Sequence, residues 1–393
     1  MPYGRSGVAV TEETKKMTHK VEQFLNERRP ATPCLVVDLD VVAEKFHALT
    51  SALPLAEVFY AVKANPAQEV LSRLADQGAS FDTASAGEIA QVLSLGVAPE
   101  RISFGNTIKK QSDIAWAYDR GVKLYAFDSK AELEKIAAAA PGVQVFCRIL
   151  IDGEGALWPL NRKFGCAPKM AADLLILARE LGLEPYGVSF HVGSQQMQPG
   201  QWDAAVAAVK KVFKQVAKAG IELKMIDLGG GFPAHYNAPV EAIGAYGNAI
   251  MNAMTKHFGN DLPRMIVEPG RYMVGDAGVL EAEVVLISTK SYGEDRRWVY
   301  LDIGRFGGLA EVEGEGIRYR IRPVREMGKE EGPVVLAGPT CDSADILYDK
   351  ANYQMPRDLK IGDRVRIFST GAYTTTYSAV NFNGFEPLKA YYI

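Results

Sequence analysis

The sequence predicts a closed (β/α)8 barrel, an α/β fold of the TIM-barrel type, followed by a mainly antiparallel β-domain. Short apolar runs with the character of buried strands alternate with helical patterns rich in Ala, Leu, Glu and Lys. After Tyr272, strand-like runs follow one another with few helical patterns between them. No G-x-G-x-x-G follows a strand, which disfavours the alternative of a doubly wound open sheet. We therefore expect a barrel over residues 39–276 and a β-domain formed by residues 1–38 and 277–393.

Each element follows from its local pattern. Before the barrel we expect a helix within Met1–Arg29, a strand at Leu35–Asp40 and a helix at Val41–Ala52. The eight barrel strands are expected at Val58–Lys63, Ser80–Ala84, Arg101–Gly105, Leu124–Phe127, Val143–Ile151, Tyr186–Gly193, Met225–Gly229 and Met265–Glu268. The helical patterns between them include Ala67–Gln77, Ala86–Leu95, Lys130–Ala140, Met170–Leu181 and Gln201–Ala219. The β-domain strands are expected at Val279–Ser288, Trp298–Asp302, Ile317–Ile321, Pro333–Leu336 and Arg364–Ser369.

Composition excludes several classes of function. The chain has 393 residues, 48% of them hydrophobic, which is enough for a barrel with an appended domain. Its net charge of -3 provides no general electrostatic attraction to nucleic acid or to an acidic membrane. The polar N-terminus resembles neither a secretory signal nor a spanning helix. The four cysteines, which show no metal-ligand spacing, indicate reduced thiols in a cytoplasmic protein without a bound metal: Cys34, Cys147, Cys166 and Cys341.

The unusual polar residues of the barrel fall at the carboxyl ends of the predicted strands, where such barrels carry their active sites. Lys63 ends the first strand, Glu268 ends the eighth, and the glycines Gly229–Gly231 follow the seventh. Taken alone, each has an ordinary structural explanation: a lysine reaching solvent, an ion pair, a tight turn. The other polar residues at this rim are Asp82, Arg148, His191, Ser194 and Arg271. Their shared position favours a functional site.

This combination points to an aldehyde coenzyme that carries a phosphate and a ring nitrogen. A desolvated lysine amine of lowered pKa, at Lys63, can form a Schiff base with the aldehyde. Backbone N–H groups of Gly229–Gly231 can approach a phosphate closely, and Arg271 can add charge-assisted hydrogen bonds. Glu268 can pair with a protonated pyridine nitrogen. The sequence therefore predicts a pyridoxal 5'-phosphate site at this rim.

Several longer motifs resemble, in the same order, those of the eukaryotic-type ornithine decarboxylases. These are pyridoxal-phosphate enzymes of the alanine-racemase-like barrel class, also called fold type III. The matching barrel motifs are Phe59–Pro66, Phe81–Ser85, Ser189–Ser194, Asp227–Phe232 and Glu268–Tyr272. The matching β-domain motifs are Gly338–Asp345, Gly371–Thr374 and Phe382–Phe385. The resemblance covers nearly the whole chain after Pro33 and implies decarboxylation of a basic amino acid in polyamine biosynthesis.

The resemblance also implies a role for each matching position. Lys63 would hold the coenzyme covalently, Glu268 would keep the pyridine nitrogen protonated, and His191 would stack on the ring. Asp82 and Arg148 would orient the groups around it. The phosphate would be held by Ser194, Gly231, Arg271 and Tyr373, and Gly230 and Gly270 would complete the coenzyme-binding set.

The resemblance further implies a homodimer with shared active sites. Cys341 and Asp342 would reach into the site of the partner subunit, and Cys341 would donate a proton to Cα after CO2 is lost. Lys163 of one subunit and Asp345 of the other would form a contact. The substrate-binding residues would be Asp342, Tyr373 and Glu311, the last matched across a gap.

The implied substrates are L-ornithine, which gives putrescine, and L-lysine, which gives cadaverine. The local sequence Gly307–Val312 departs from the eukaryotic pattern and resembles bacterial members that accept both. A single methylene discriminates between substrates by only about 1–3 kcal/mol, which makes dual use reasonable. Arginine is disfavoured because chains of that specificity in this class are generally much longer.

Other functions remain as alternatives. A diaminopimelate decarboxylase should carry Cys-Glu rather than Cys341-Asp342, and a carboxynorspermidine decarboxylase is a further relative on this barrel. An amino-acid racemase would need a second base, usually a tyrosine from the β-domain. An inactive regulatory homologue would have lost the lysine, the phosphate glycines or the cysteine. A barrel that binds a phosphorylated sugar explains the glycines but leaves Lys63 and Cys341 without a task.

Overall fold

The computed structural model describes residues 17–158 and 162–393. It begins with helix α1 (His19–Arg28), strand β1 (Cys34–Val37) and helix α2 (Leu39–Ala52). The helix expected within Met1–Arg29 is thus present in its second half, and residues 1–16 lie outside the described part. The strand expected at Leu35–Asp40 is shorter, because the Asp38 carboxylate accepts the Asp40 N–H and caps α2.

Eight parallel strands close into a barrel, which confirms the predicted fold class. They are β2 (Ala56–Ala61), β3 (Ser80–Thr83), β4 (Ile102–Phe104), β5 (Leu124–Phe127), β6 (Gln144–Arg148), β8 (Glu184–Ser189), β10 (Met225–Asp227) and β11 (Arg264–Val267), with β7 (Ala156–Trp158) and β9 (Ser194–Gln196) forming a separate two-stranded sheet. Strand β11 pairs with β2 and so closes the ring. Several predicted strands run too far at their carboxyl ends, since the apolar pattern continues into the loops above the barrel.

Helices surround the barrel. They are α3 (Gln68–Asp76), α4 (Ala86–Ser94), α5 (Gln111–Tyr118), α6 (Lys130–Ala139), α7 (Pro168–Glu180), α8 (Gln201–Ala217), α9 (Ile243–Phe258) and the short α10 (Arg271–Val274). The barrel interior is filled by apolar side chains from five of the strands, Phe59, Leu124, Ala126, Phe146, Met225 and Ile266. The filled interior leaves the rim at the carboxyl ends of the strands as the place for a site. No helix in the described ranges has the length and apolar character needed to span a membrane.

The chain after the barrel forms most of a nine-stranded, mainly antiparallel sheet, which β1 joins by pairing with two of its strands. The remaining strands are β12 (Gly278–Ser288), β13 (Arg297–Leu301), β14 (Ile321–Pro323), β15 (Glu331–Ala337), β16 (Ile346–Tyr348), β17 (Gln354–Pro356), β18 (Arg364–Phe368) and β19 (Lys389–Tyr392). The strand expected at Ile317–Ile321 is wrong except for its last residue. The Tyr319 N–H there donates to the Tyr348 hydroxyl at 2.8 Å instead of to a neighbouring strand.

Candidate active site

Lys63 lies just beyond β2, in a 3-10 turn formed by Val62–Ala64. The turn is held in place by Asn65, whose side-chain amide donates to the Gly371 carbonyl at 2.9 Å. Half of the Lys63 side chain is exposed in the cleft, and its Nζ lies 3.3 Å from Oδ2 of Asp82. The local structure therefore presents one amine to the rim of the barrel, beside a carboxylate.

The pKa of Lys63 differs from the sequence-based expectation. Burial opposes the charged form, but the carboxylate of Asp82, together with Tyr373 and Glu268, raises the pKa of the ammonium above its ordinary value. The expected lowered pKa is therefore wrong for the chain alone. The physical reason is that acidic groups from other strands surround the amine and outweigh its desolvation.

Asp82 is fixed at the end of β3 and is 4% exposed. The Ser103 hydroxyl donates to its Oδ1 at 3.1 Å. The backbone of Gly105 packs directly on the carboxylate, because a Cβ there would lie 1.9 Å from Oδ1. Asp82 is thus held by the end of the neighbouring strand β4 and keeps its orientation towards Lys63.

Glu268 follows β11, and its N–H donates to the Gly229 carbonyl at 2.9 Å. Burial raises the pKa of its carboxyl group well above the usual range, and the nearby Asp227 and Asp82 add to this shift. Asp227, at the end of β10, is fully buried, and its carboxyl group lies close enough to that of Glu268 for each to shift the pKa of the other. Two buried carboxyl groups this close share a proton, so this side of the rim holds a carboxyl pair.

His191 is neutral and its tautomer is fixed. Burial lowers the pKa of its imidazole to about 3, with Arg148 and Lys63 adding to the shift. Its Nδ1 accepts the Gly193 N–H at 3.0 Å, so Nε2 carries the proton. Arg148, at the end of β6, places its guanidinium 5.4 Å from the centre of the Phe164 ring. A neutral, oriented imidazole suits stacking on a flat ring.

The glycine loop after β10 packs tightly against the loop after β8. Gly229 has φ +67°, and a Cβ there would lie 2.1 Å from the Phe190 carbonyl oxygen. Gly231 has φ +103°, and a Cβ there would lie 2.6 Å from the Gly193 carbonyl oxygen. Only glycine allows this path, so the backbone itself forms the floor of the rim. A Cβ at Gly230 would lie 3.2 Å from Nε2 of His191, which places this loop beside the imidazole.

Arg271 is 4% exposed, and protein groups engage all five of its N–H donors. Its two terminal nitrogens bind the Glu311 carboxylate at 2.5 and 2.6 Å. Nη1 also donates to the Tyr236 hydroxyl at 2.8 Å, and Nε and Nη2 donate to the Ser194 hydroxyl at 3.3 and 3.2 Å. Because Ser194 already accepts two hydrogen bonds, its own O–H is directed to another acceptor. A direct phosphate contact from Arg271 would replace one of the longer bonds to Ser194.

Tyr373 connects the β-domain to the rim. Its φ of +59° is unusual for a residue with a side chain, and its N–H donates to the Ala64 carbonyl at 2.8 Å. The Arg271 guanidinium lies 5.0 Å from the centre of its ring. A Cβ at Gly270 would lie 3.5 Å from the Tyr373 hydroxyl. The β-domain thus contributes one wall of the cleft within the same chain.

Cys341 and Asp342 lie in the loop between β15 and β16 and are both exposed. The Cys341 N–H donates to Oδ1 of Asn383, and Oδ1 of Asp342 accepts the Ala344 N–H. No hydrogen bond or ion pair given for residues 17–158 and 162–393 joins either of them to Lys63. Within the described residues, Cys341 and Asp342 therefore make their polar contacts in the loops of the β-domain and not with Lys63.

The two residues expected to contact across a dimer differ in their surroundings. Asp345 is 2% exposed, and its carboxylate accepts hydrogen bonds from the Arg305 N–H at 2.7 Å and the Thr340 hydroxyl at 2.7 Å. Lys163 is exposed, with its Nζ 4.9 Å from the centre of the Phe164 ring. Asp345 thus stabilises the loop that carries Cys341 within its own chain.

Sequence reasoning missed three residues of this site. Asp227 lies in the motif Asp227–Phe232, but the resemblance to the family assigns it no role. Tyr236 lies in none of the motifs, and no local pattern indicates that it belongs to the site. Glu88 accepts the Ala84 N–H at 2.6 Å, and burial raises the pKa of its carboxyl group. The spacing of Ser85 and Glu88 is that of a capping box and could have placed Glu88 beside the end of β3.

Known proteins share this fold and these motifs. A family model described as "Pyridoxal-dependent decarboxylase, pyridoxal binding domain" matches residues 39–275. A protein named lysine/ornithine decarboxylase from Selenomonas ruminantium is 38% identical over 373 residues, 94% of this chain and 91% of that protein. The crystal structure of a lysine/ornithine decarboxylase from Vibrio vulnificus, complexed with cadaverine, has a TM-score of 0.85 at 32% identity and covers 95% of this chain and 98% of that chain.

A third match bears on the expected specificity. The arginine decarboxylase of Paramecium bursaria Chlorella virus, bound to agmatine, has a TM-score of 0.87 at 31% identity, covering 96% of this chain and 100% of that one. Chain length therefore does not distinguish arginine enzymes from the others, and the expectation that disfavoured arginine on that ground is wrong.

Proposed function

The chain belongs to the pyridoxal-dependent decarboxylase family, and we propose that it converts L-ornithine to putrescine and L-lysine to cadaverine. The observation that carries this proposal is the convergence of Lys63, the glycine loop and Glu268 on one rim of the barrel. The named specificities of the Selenomonas and Vibrio relatives support the choice of substrates. Putrescine and cadaverine are polyamine precursors, which supports a place in polyamine biosynthesis.

The residues of the rim fit pyridoxal 5'-phosphate. Lys63 is a half-exposed amine within reach of an aldehyde, and the carboxyl pair on the opposite side suits a basic ring nitrogen. The glycine loop offers backbone N–H groups where no side chain intervenes. The Ser194 hydroxyl, polarised by Arg271, adds a donor for a phosphate oxygen. These residues would therefore hold the aldehyde, the nitrogen and the phosphate of the coenzyme, with Tyr373 and Gly270 closing the phosphate end.

The coenzyme, when bound, supplies an electron sink for the pair of electrons left on Cα when CO2 departs. The chain's own residues position and protonate the reacting groups. Lys63 would bind the coenzyme, with Asp82 holding the amine in place. Neutral His191 would cover the ring without adding charge. Glu268 would hold the ring nitrogen, and Arg148 balances the surrounding carboxyl groups.

The substrate's distal amine needs acidic partners. We assign this task to Asp342 from the partner subunit and to Glu311, with Tyr373 at the wall of the cleft. Glu311 is 6% exposed and forms a bidentate ion pair with Arg271. A contact between Glu311 and the substrate amine would therefore compete with, or add to, the existing ion pair with Arg271. This assignment is compatible with side chains that differ by one methylene.

A homodimer completes this site. The exposure of Cys341 and Asp342, and the lack of a hydrogen bond or ion pair between them and Lys63 in the described part of the chain, support their serving the rim of a second chain. The Cys341 thiol then donates a proton to Cα after decarboxylation. The contact of Lys163 with Asp345 across the dimer requires the buried Asp345 carboxylate to accept one more donor.

Mixing Lys63→Ala chains with Cys341→Ala chains tests whether the two subunits share their active sites, because only a mixed dimer contains one intact site. Diamine formation above that of either variant alone supports the shared site, and a mixed dimer that forms no more diamine than its parents refutes it.

We further propose the domain division of residues 39–276 as the coenzyme-binding barrel and residues 1–38 with 277–393 as the β-domain. We also propose a cytoplasmic location, in keeping with four cysteines that form no disulfide.

The decisive test of the function compares kcat/KM for ornithine, lysine, arginine and diaminopimelate. Release of CO2 from ornithine and lysine is the expected result. Turnover confined to arginine or diaminopimelate, or racemisation without CO2, contradicts the proposal.

A further inference from the structure

The proposed function leaves one buried acidic group without a task. Asp227 lies at the end of β10 and is fully buried. Its Oδ1 accepts the Gly229 N–H at 2.9 Å, which ties the carboxylate to the glycine loop. Its Oδ2 faces no N–H or O–H donor within the described part of the chain. A buried carboxylate oxygen without a donor costs free energy, so its surroundings call for an explanation.

The polar neighbour of Asp227 is the carboxyl group of Glu268. The two residues follow adjacent strands, β10 and β11, and the Glu268 N–H donates to the Gly229 carbonyl at 2.9 Å. Gly229 therefore binds both residues, the Asp227 side chain through its N–H and the Glu268 backbone through its carbonyl. A hydrogen bond between the two carboxyl groups can form only when one of them carries a proton, because ionised carboxylates are acceptors alone. Such a proton would give the buried Oδ2 of Asp227 its missing partner.

We propose that Asp227 is a positioning residue that donates the shared proton to Glu268 and so presents Glu268, as a carboxylate, to the coenzyme's ring nitrogen. The proton stays on Asp227 in this arrangement. One Glu268 oxygen then accepts from Asp227, and the other remains for the ring nitrogen. The inference rests on the proposed function, since it assigns Glu268 a partner that only a pyridine coenzyme supplies.

The charges around the pair are compatible with this assignment. Asp82 disfavours ionisation of both carboxyl groups, whereas Arg148 favours a charged Asp227 and Lys63 favours a charged Glu268. Burial raises the pKa of both carboxyl groups, to about 7 for Asp227, and their mutual interaction lowers the pKa of Asp227 and raises that of Glu268, so Glu268 holds the shared proton in the coenzyme-free chain. A cationic ring nitrogen beside Glu268 would favour its charged form and would move this proton to Asp227. A protonated Asp227 can therefore act as donor without a second buried negative charge beside Glu268.

The test compares two ligands and two variants. The ligands are pyridoxal phosphate and the analogue in which carbon replaces the ring nitrogen, and dissociation constants are measured on coenzyme-free protein. Asp227→Ala removes the donor and should weaken pyridoxal phosphate binding by about 10–100-fold, by analogy with the loss of a residue that orients a metal ligand. Binding of the analogue should be unchanged, because no ring nitrogen needs Glu268. Asp227→Asn is the matched control, since its amide oxygen can accept the Gly229 N–H and its NH2 can donate to Glu268, and it should bind pyridoxal phosphate like the unaltered chain.

Equal weakening of both ligands by Asp227→Ala overturns the proposal, because it indicates collapse of the glycine loop. Weak pyridoxal phosphate binding by Asp227→Asn also overturns it, since a donor at this position would not be sufficient. If the unaltered chain prefers pyridoxal phosphate to the analogue by no measurable factor, Glu268 does not hold the nitrogen and the inference fails even without a variant. Absence of any pyridoxal phosphate binding is a different result, which contradicts the proposed function itself.

Discussion

Replacing Glu311 by Gln tests how the phosphate end of the cleft is held together. Arg271 and Glu311 are 4% and 6% exposed and are joined by two hydrogen bonds of 2.5 and 2.6 Å. Removing one partner of a buried ion pair typically costs about 3–5 kcal/mol, because the remaining charge is left uncompensated. We expect a loss of about 3 kcal/mol in the unfolding free energy of coenzyme-free protein, the lower end of that range, since the Ser194 and Tyr236 hydroxyls remain bound to Arg271.

With pyridoxal phosphate bound, the same substitution should cost less. A phosphate near Arg271 supplies the negative charge that Glu311→Gln removes, so the difference in melting temperature between variant and unaltered protein should shrink. Thermal unfolding with and without the coenzyme measures this directly. The matched control is Glu281→Gln, because Glu281 is 2% exposed and binds Arg364 and Arg366 at 2.8 and 2.9 Å within the β-domain sheet. That variant should lose the same stability in both states. If Glu311→Gln loses equally with and without the coenzyme, Arg271 takes no part in phosphate binding.

Three further predictions concern the rim and the partner's contribution. Lys63→Ala should abolish both decarboxylation and the visible absorbance of bound coenzyme while leaving the melting temperature near that of coenzyme-free protein, because half of its side chain is exposed. Cys341→Ala should slow release of the diamine and divert product to protonation at the wrong atom, and an unchanged product ratio by chromatography would remove its assigned role. Burial raises the pKa of Asp227 to about 7, above the ordinary value of about 3.9, so the folded chain binds more protons and its stability should fall as pH rises between these values. The melting temperature of coenzyme-free Asp227→Asn should fall less across that pH range than the melting temperature of the unaltered coenzyme-free protein.

The barrel could be predicted because its signal is local and repeated. Each strand is a short apolar run of its own. Errors in the predicted strand ends, as at Val143–Ile151, therefore do not change the number of strands. The position of Lys63 and Glu268 at one rim follows from the fold, since parallel strands place their carboxyl ends together. The resemblance of the motifs to a known family then supplied roles that local pattern alone leaves open.

What the sequence could not predict depends on contacts between distant segments. Arg271 and Glu311 are 40 residues apart, and nothing in either local pattern indicates that they form a buried ion pair. The direction in which the pKa of Lys63 shifts depends on Asp82 and Glu268, which lie at the ends of other strands. The strand expected at Ile317–Ile321 failed for the same reason, because a tyrosine hydroxyl from elsewhere takes its hydrogen bond. Local pattern indicates which groups are available, and tertiary packing decides their charge and their partners.

The electrostatics of the rim explain why the site is suited to a cationic ring nitrogen beside a phosphate. Asp82, Asp227 and Glu268 place three acidic groups around one cleft, and burial disfavours charge on at least two of them. The folded chain tolerates this because Lys63 pairs with Asp82 and because the other two share a proton. In the proposed binding mode, a protonated ring nitrogen would add a positive charge beside Glu268, and a phosphate would meet Ser194 and Arg271, which are joined by a hydrogen bond. Since such a ligand relieves unfavourable burial at both ends, it should bind the folded chain selectively and raise its stability.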